Sequence, residues 1–134
     1  MSNLYNLYSS DETLAENGKW FEFGEEVSVK IRRYKSKKSR KVRENLEAPY
    51  KRASKFATTL PDDVLESITN RHVAEGIIAD WKGVSNRDGQ PVAYSPAAAL
   101  ALINDLPDFR DAVVEISLSL DNFREEVKQD VEGN

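Results

Sequence analysis

The sequence predicts an α+β fold, mostly helical, in which an N-terminal β-hairpin packs against about four or five helices in a single domain. Three observations carry that expectation. Val27-Ser28-Val29-Lys30-Ile31-Arg32 alternates strictly between apolar and polar residues, the period of a strand with one buried face. After position 61 the apolar residues instead recur every three or four positions, the period of an amphipathic helix. The chain has 134 residues, 40% of them hydrophobic and 31% charged, which suits one domain with a modest core.

Residues 1–18 read as an N-terminal arm. Leu4, Tyr5, Leu7 and Tyr8 precede a polar run, Ser9-Ser10-Asp11-Glu12, that suits the cap of a helical turn through Leu14 and Ala15, and Asn17-Gly18 stops it. The hairpin spans 19–32: Lys19-Trp20-Phe21-Glu22-Phe23 has strand composition, Gly24-Glu25-Glu26 is a hairpin-length loop, and Val27, Val29 and Ile31 share one face. A lone hairpin is marginally stable, so helices must cover that face. Residues 36–57 form a basic helical segment, in which Pro49 removes a backbone donor and predicts a kink or break near Ala48. Residues 61–127 form the helical core, and 128–134 a frayed tail. Pro61-Asp62-Asp63 starts a helix whose Val64, Leu65, Ile68, Ala74, Ile77, Ile78 and Trp81 lie on one face, and Gly83 ends it.

The loop from Val84 to Tyr94 carries Ser85-Asn86, Asp88-Gly89 and Pro91, which place a reverse turn near Gly89. Ser95 as N-cap and Pro96 as first helical residue open a short helix to about Asn104. Leu106-Pro107-Asp108 restarts the chain in a last helix, with Phe109, Ala112, Val113, Ile116, Leu120, Phe123 and Val127 in register over five turns. The expected core gathers Trp20, Phe21 or Phe23, Val29, Ile31, Ile68, Ile77, Ile78, Trp81, Ile116, Leu120 and Phe123.

Cysteine is absent, so disulfide and thiolate chemistry are excluded. No run of about 18 apolar residues occurs, and Met1 to Ser10 has neither the charged region nor the apolar run of a signal peptide, so the protein is expected to stay where it is made. One histidine, His72, is too few for a metal cluster or a nucleophile–base arrangement, and reads as a surface or boundary residue. No phosphate-cradling glycine pattern occurs. The carboxylate pairs Asp62-Asp63 and Glu125-Glu126 read as helix-end charges rather than an acid and a base. No catalytic, cofactor-binding or metal-binding residue is assigned, and the chain is not expected to be an enzyme.

Charge is the strongest signal for interaction. The net charge of −4 conceals a window, Lys30 to Lys55, with 12 basic and two acidic residues, a net +10, against −14 elsewhere. Lys30, Arg32, Arg33, Lys35, Lys37, Lys38, Arg40, Lys41 and Arg43 are the candidate partner-binding cations. They suit a protein contact, a nucleic acid or a plain solvated face, and protein contact is favoured because the rest of the chain is acidic. A basic segment on one copy meeting an acidic surface on the next makes a homo-oligomer expected. Trp81 joins the list as a candidate anchor, with a cap on the core as its competing role.

The order of Leu4-Tyr5-Asn6-Leu7-Tyr8, Lys19-Trp20-Phe21, Asp80-Trp81-Lys82-Gly83-Val84, Asp88-Gly89-Gln90-Pro91, Tyr94-Ser95-Pro96 and Leu106-Pro107-Asp108 resembles the tail assembly chaperones of long-tailed, siphovirus-type bacteriophages and prophages. Ala97-Ala98-Ala99 and the Lys/Arg run depart from that pattern. The resemblance implies a non-catalytic protein of the bacterial host cytoplasm that coats a tape measure protein, keeps it soluble, helps recruit tail tube subunits and is absent from the mature virion. It also implies that a longer, frameshifted product is often made. Membrane and cofactor have no part in it. The competing readings are a small nucleic-acid-associated regulator acting through Lys30 to Arg43, and a structural subunit of the tail.

Overall fold

The computed structural model describes residues 3–53 and 60–124, without the side chains of Arg52 and Ala53. The end of the basic segment at 57, Val127, the tail 128–134 and the acids beyond Arg124 lie outside the described residues. The architecture is α+β, as expected: a three-stranded antiparallel sheet with helices packed on one face.

Asp11 caps α2 (Glu12–Asn17), its carboxylate accepting the N–H groups of Thr13 and Leu14 at 2.9 and 3.2 Å. Before it, α1 (Leu4–Tyr8) buries none of its residues. β1 (Lys19–Gly24) and β2 (Val27–Ile31) form the expected hairpin, with Val29 and Ile31 fully buried. α3 (Lys37–Ala53) follows. Of the kink or break expected near Ala48, the break is not there: the helix runs through Pro49, whose missing donor falls over exposed Asn45, where solvent is available to replace it.

The largest departure from the sequence reading is between His72 and Gly83. α4 (Asp62–His72) passes through a π-helical turn, Val73–Ile77, into a third strand, β3 (Ile78–Lys82), where one continuous helix was expected. β3 pairs antiparallel with β2, placing Phe21, Val29 and Trp81 in one row facing the core and Trp20, Lys30 and Asp80 in the row facing out. The strand wins because β2 would otherwise carry an unpaired edge beside its two buried side chains. Tyr94 Oη lies 3.0 Å from both the Ala74 and Ile78 carbonyls, giving the chain a donor where helical bonding lapses. A Cβ at Gly76 would sit 3.1 Å from the Val42 side chain, so glycine lets α3 approach the turn. Gly83 ends a strand rather than a helix: its φ is +74° and a Cβ there would collide with the Glu26 carbonyl of the hairpin turn.

α5 (Pro96–Asp105) starts as expected, Ser95 Oγ accepting the Ala98 N–H at 3.0 Å with Pro96 in its first turn. α6 (Pro107–Leu118) is shorter than the five turns expected. It stops at extended Ser119 and resumes as a 3-10 turn, Leu120–Phe123. The break swings Phe123 beneath the sheet, where it is fully buried with its ring at 6.0 Å from Phe21 in an edge-to-face arrangement. Asn122 Nδ2 donates to the Ile116 carbonyl at 2.9 Å and so answers one of the orphaned helix-end groups.

Val29, Ile31, Val73, Ala74, Ile77, Ile78, Trp81, Ala99, Ile103, Val113 and Phe123 form one buried cluster. Each large aliphatic side chain in it contributes roughly 1.5–3 kcal/mol by leaving water. Phe21, Phe23 and Ile116 pack at its margin. Trp20 does not belong to it: the indole lies on the outer face of the sheet, with Lys82 Nζ at 4.3 Å and Lys30 Nζ at 6.0 Å from its ring. Leu65, expected on the buried face of α4, is exposed.

Candidate functional site

The nine cations of the basic segment divide into two sets. Arg32 is committed to the fold, its Nε donating to the Glu16 carbonyl at 3.0 Å and its Nη1 to the Gly76 carbonyl at 3.3 Å. Arg33 donates to Ser10 Oγ at 2.9 Å. Arg43 pairs with Glu47 at 3.0 Å and reaches Thr69 Oγ1 at 3.5 Å, and Lys30 lies over Trp20. The other five, Lys35, Lys37, Lys38, Arg40 and Lys41, are exposed on the first turns of α3 and the loop before it. None of these five forms an ion pair with another described residue.

Their placement opposes local stability. α3 has no acid in its first turn, and cations there face the positive end of the helix dipole. A carboxylate from elsewhere makes up part of the deficit: Glu16 of α2 accepts the Lys37 N–H at 2.8 Å and the Lys38 N–H at 3.4 Å. Charge held where it costs stability points to use at a surface.

Beneath this segment the single histidine is buried, not at the surface or boundary as the sequence suggested. His72 is 2% exposed, its Nε2 lies 2.8 Å from Ser39 Oγ, and its ring meets Tyr34 edge to face at 5.1 Å. Burial, aided by the Arg43 charge, lowers its pKa to about 4. Ser39 is itself fully buried, so the pair pins α3 to α4 and offers no hydroxyl to a substrate. Tyr34, the aromatic residue inside the basic run, is spent on this contact.

Trp81 is 5% exposed, donates its indole N–H to the Val92 carbonyl at 2.8 Å and meets Tyr94 edge to face at 5.3 Å. It thereby fastens the loop 84–92, whose reverse turn is closed by the Gly89 N–H on the Asn86 carbonyl at 3.0 Å. Trp81 also lines a groove of about 530 Å³ between that loop and α5. The walls are Val84, Val92, Ala98, Ala101 and Leu102, with Arg87, Asp88 and Asp105 among its polar lining. A second hollow of about 390 Å³, lined by Phe23, Val27 and Phe109, shares Val84, Ser85, Leu102 and Leu106 with the first. The two make one apolar surface around Leu106, which is 48% exposed. The sequence marked Leu106 only as punctuation between helices, and nothing local distinguishes Leu102 from a core residue. The structure does not bring Trp81 together with the basic segment: the groove and the α3 cations share no lining residue.

Among the described residues no group of three or more His, Cys, Asp or Glu side chains is arranged to hold a metal ion. No described helix is long and apolar enough to cross a membrane. No curated protein and no solved structure matches the chain. The family model of the YdaY prophage protein matches residues 34–134, a stretch that takes in the five exposed cations, Trp81 and the whole groove wall from Val84 to Leu106. With most of its length inside that match, the chain belongs to the YdaY prophage protein family.

Proposed function

We propose that this prophage protein is a non-catalytic tail assembly chaperone. It binds a tape measure protein, keeps it soluble in the host cytoplasm, helps recruit tail tube subunits and leaves before the virion is complete. The observation that carries the reading is the continuous apolar surface around Leu106, bordered by polar side chains. A holdase for a long helical client needs such a furrow, because an amphipathic helix buries its apolar stripe in a matching groove. The ordered resemblance from Leu4 to Phe123 and the prophage family membership point the same way. The runner-up, a nucleic-acid-associated regulator, rests on the exposed lysines of α3, but the aromatic residue among them packs on His72 and is not offered to a base.

Co-expression with the tape measure protein of the same prophage tests the proposal. The client is expected to be more soluble with this chain than without it and to co-purify at moderate salt. Ala101→Asp, at an exposed position in the groove wall, is expected to reduce the co-purified client while the circular dichroism spectrum stays unchanged. A client equally soluble alone, with no complex recovered, ends the chaperone reading.

A further inference from the structure

We infer that the exposed basic face of α3 docks on the acid-rich end of a second copy of this chain, so that copies join head to tail. The inference goes beyond the chaperone reading and holds with any client or none. It rests on where the fold puts the two charges. At one end, Ser39 Oγ on His72 fixes the start of α3 beside the C-terminus of α4, and the Tyr34 N–H on the Ser117 carbonyl at 2.9 Å fixes the preceding loop beside the C-terminus of α6. Lys35, Lys37, Lys38, Arg40 and Lys41 project there.

The acid-rich end is the N-terminus of α4, where Asp62, Asp63 and, one turn in, Glu66 are exposed. Arg110 of α6 reaches Asn70 at 2.9 Å and Glu66 at 3.5 Å on α4, and pairs with Asp111 at 2.9 Å, so Glu66 and Asp111 share one guanidinium while Asp62 and Asp63 precede Glu66 on the same helix. Asp62 and Asp63 have no ion pair among the described residues. Lys51, toward the C-terminus of α3, is answered by Glu47 at 3.7 Å; Lys55 and the side chain of Arg52 lie outside the described residues. α4 has 11 residues, so its acidic N-terminus stands roughly 16 Å from the C-terminus that adjoins the basic segment. The two charged ends cannot meet within a copy. Between copies they meet through two different surfaces, a contact that closes into a ring or runs on as a filament.

Sedimentation velocity over a range of protein concentration tests this. In about 50 mM salt the wild-type chain is expected to form concentration-dependent assemblies, and its dissociation constant to rise about tenfold or more at about 300 mM salt, where the screening length is halved or less. Reversing the basic end (Lys35→Glu, Lys37→Glu, Lys38→Glu, Lys41→Glu) or the acidic end (Asp62→Lys, Asp63→Lys, Glu66→Lys) is expected to give monomers. Mixing the two reversed proteins restores assembly, since each then offers at both ends the charge the other lacks. Should a reversed protein fail to fold, glutamine at the same lysines carries the same expectation with a smaller loss, and the salt series on the wild type stands by itself. A wild type that stays monomeric at low salt, a reversed protein that still assembles, or a mixture that stays monomeric overturns the inference. So does a monomer that shifts duplex DNA through these same lysines.

Discussion

Lowering the pH from 7 to 5 should weaken this protein through one side chain, His72. Its pKa falls from 6.5 in an exposed setting to about 4 in the fold, because burial disfavours the imidazolium and Arg43 adds a like charge. Between pH 6.5 and 4 the unfolded chain therefore holds the proton that the folded chain refuses, and stability rises with pH across that window. The contribution is fully present above pH 6.5, is lost as the pH falls toward 4, and changes no further below that. At pH 5 the loss is about 2 kcal/mol, and it reaches about 3 kcal/mol at the bottom of the window. With His72 2% exposed, little solvent screening reduces these figures. Of the other charges beside the ring, the Glu47 carboxylate acts weakly in the opposite direction. Urea unfolding of wild type and His72→Gln at pH 7 and pH 5 isolates the effect, since glutamine retains a hydrogen-bonding partner for Ser39 and does not titrate. Wild type is expected to lose about 2 kcal/mol more than the variant. Parallel losses agreeing within about 0.5 kcal/mol would show that His72 is hydrated in solution, and the packing of α3 on α4 would have to be redrawn.

Phe123→Ala should cost about 3–5 kcal/mol in chemical denaturation, because it empties a fully enclosed site under the sheet. Gly83→Ala should cost about 2 kcal/mol or more, since alanine is strained at φ +74° and its methyl group strikes the Glu26 carbonyl; a thermal melt reads the drop. Lys37→Gln with Lys38→Gln should leave stability unchanged or raise it by roughly 0.3–1 kcal/mol, because both positive charges face the positive end of α3; a clear loss would mean the side chains serve the fold.

The strict alternation from Val27 to Arg32 was enough to find the hairpin and its buried face, and Ser95-Pro96 was enough to start α5, because both depend on neighbours in sequence. Ile78 and Trp81 carried no such guarantee: their spacing suits the face of a helix as well as the β3 positions they take, and the choice is made by β2, about 50 residues away. The long periodic run of the last helix misled for a related reason. Phe123 keeps its interval, yet reaches the core only after the chain breaks at Ser119 to bring its ring onto Phe21. In the basic segment the sequence showed the charge but not its division. Arg32 and Arg33 are held by the Glu16 and Gly76 carbonyls and by Ser10 Oγ, and main-chain carbonyl partners leave no trace in residue identity. The groove was illegible because its walls come from β3, a loop and α5.

The place of β3 in the sheet also sets a schedule. β1 and β2 are adjacent in sequence, and a hairpin closes in roughly 1–10 μs once its residues are free to move. Its outer partner cannot arrive until the chain has been made through Lys82, and closing so long a connection is slow compared with any turn in the molecule. At about 5–20 residues per second, synthesis alone separates Ile31 from Lys82 by several seconds. Throughout that interval the nascent hairpin presents the unpaired edge of β2, with Val29 and Ile31 uncovered, and any other extended chain nearby competes for the place that β3 will fill.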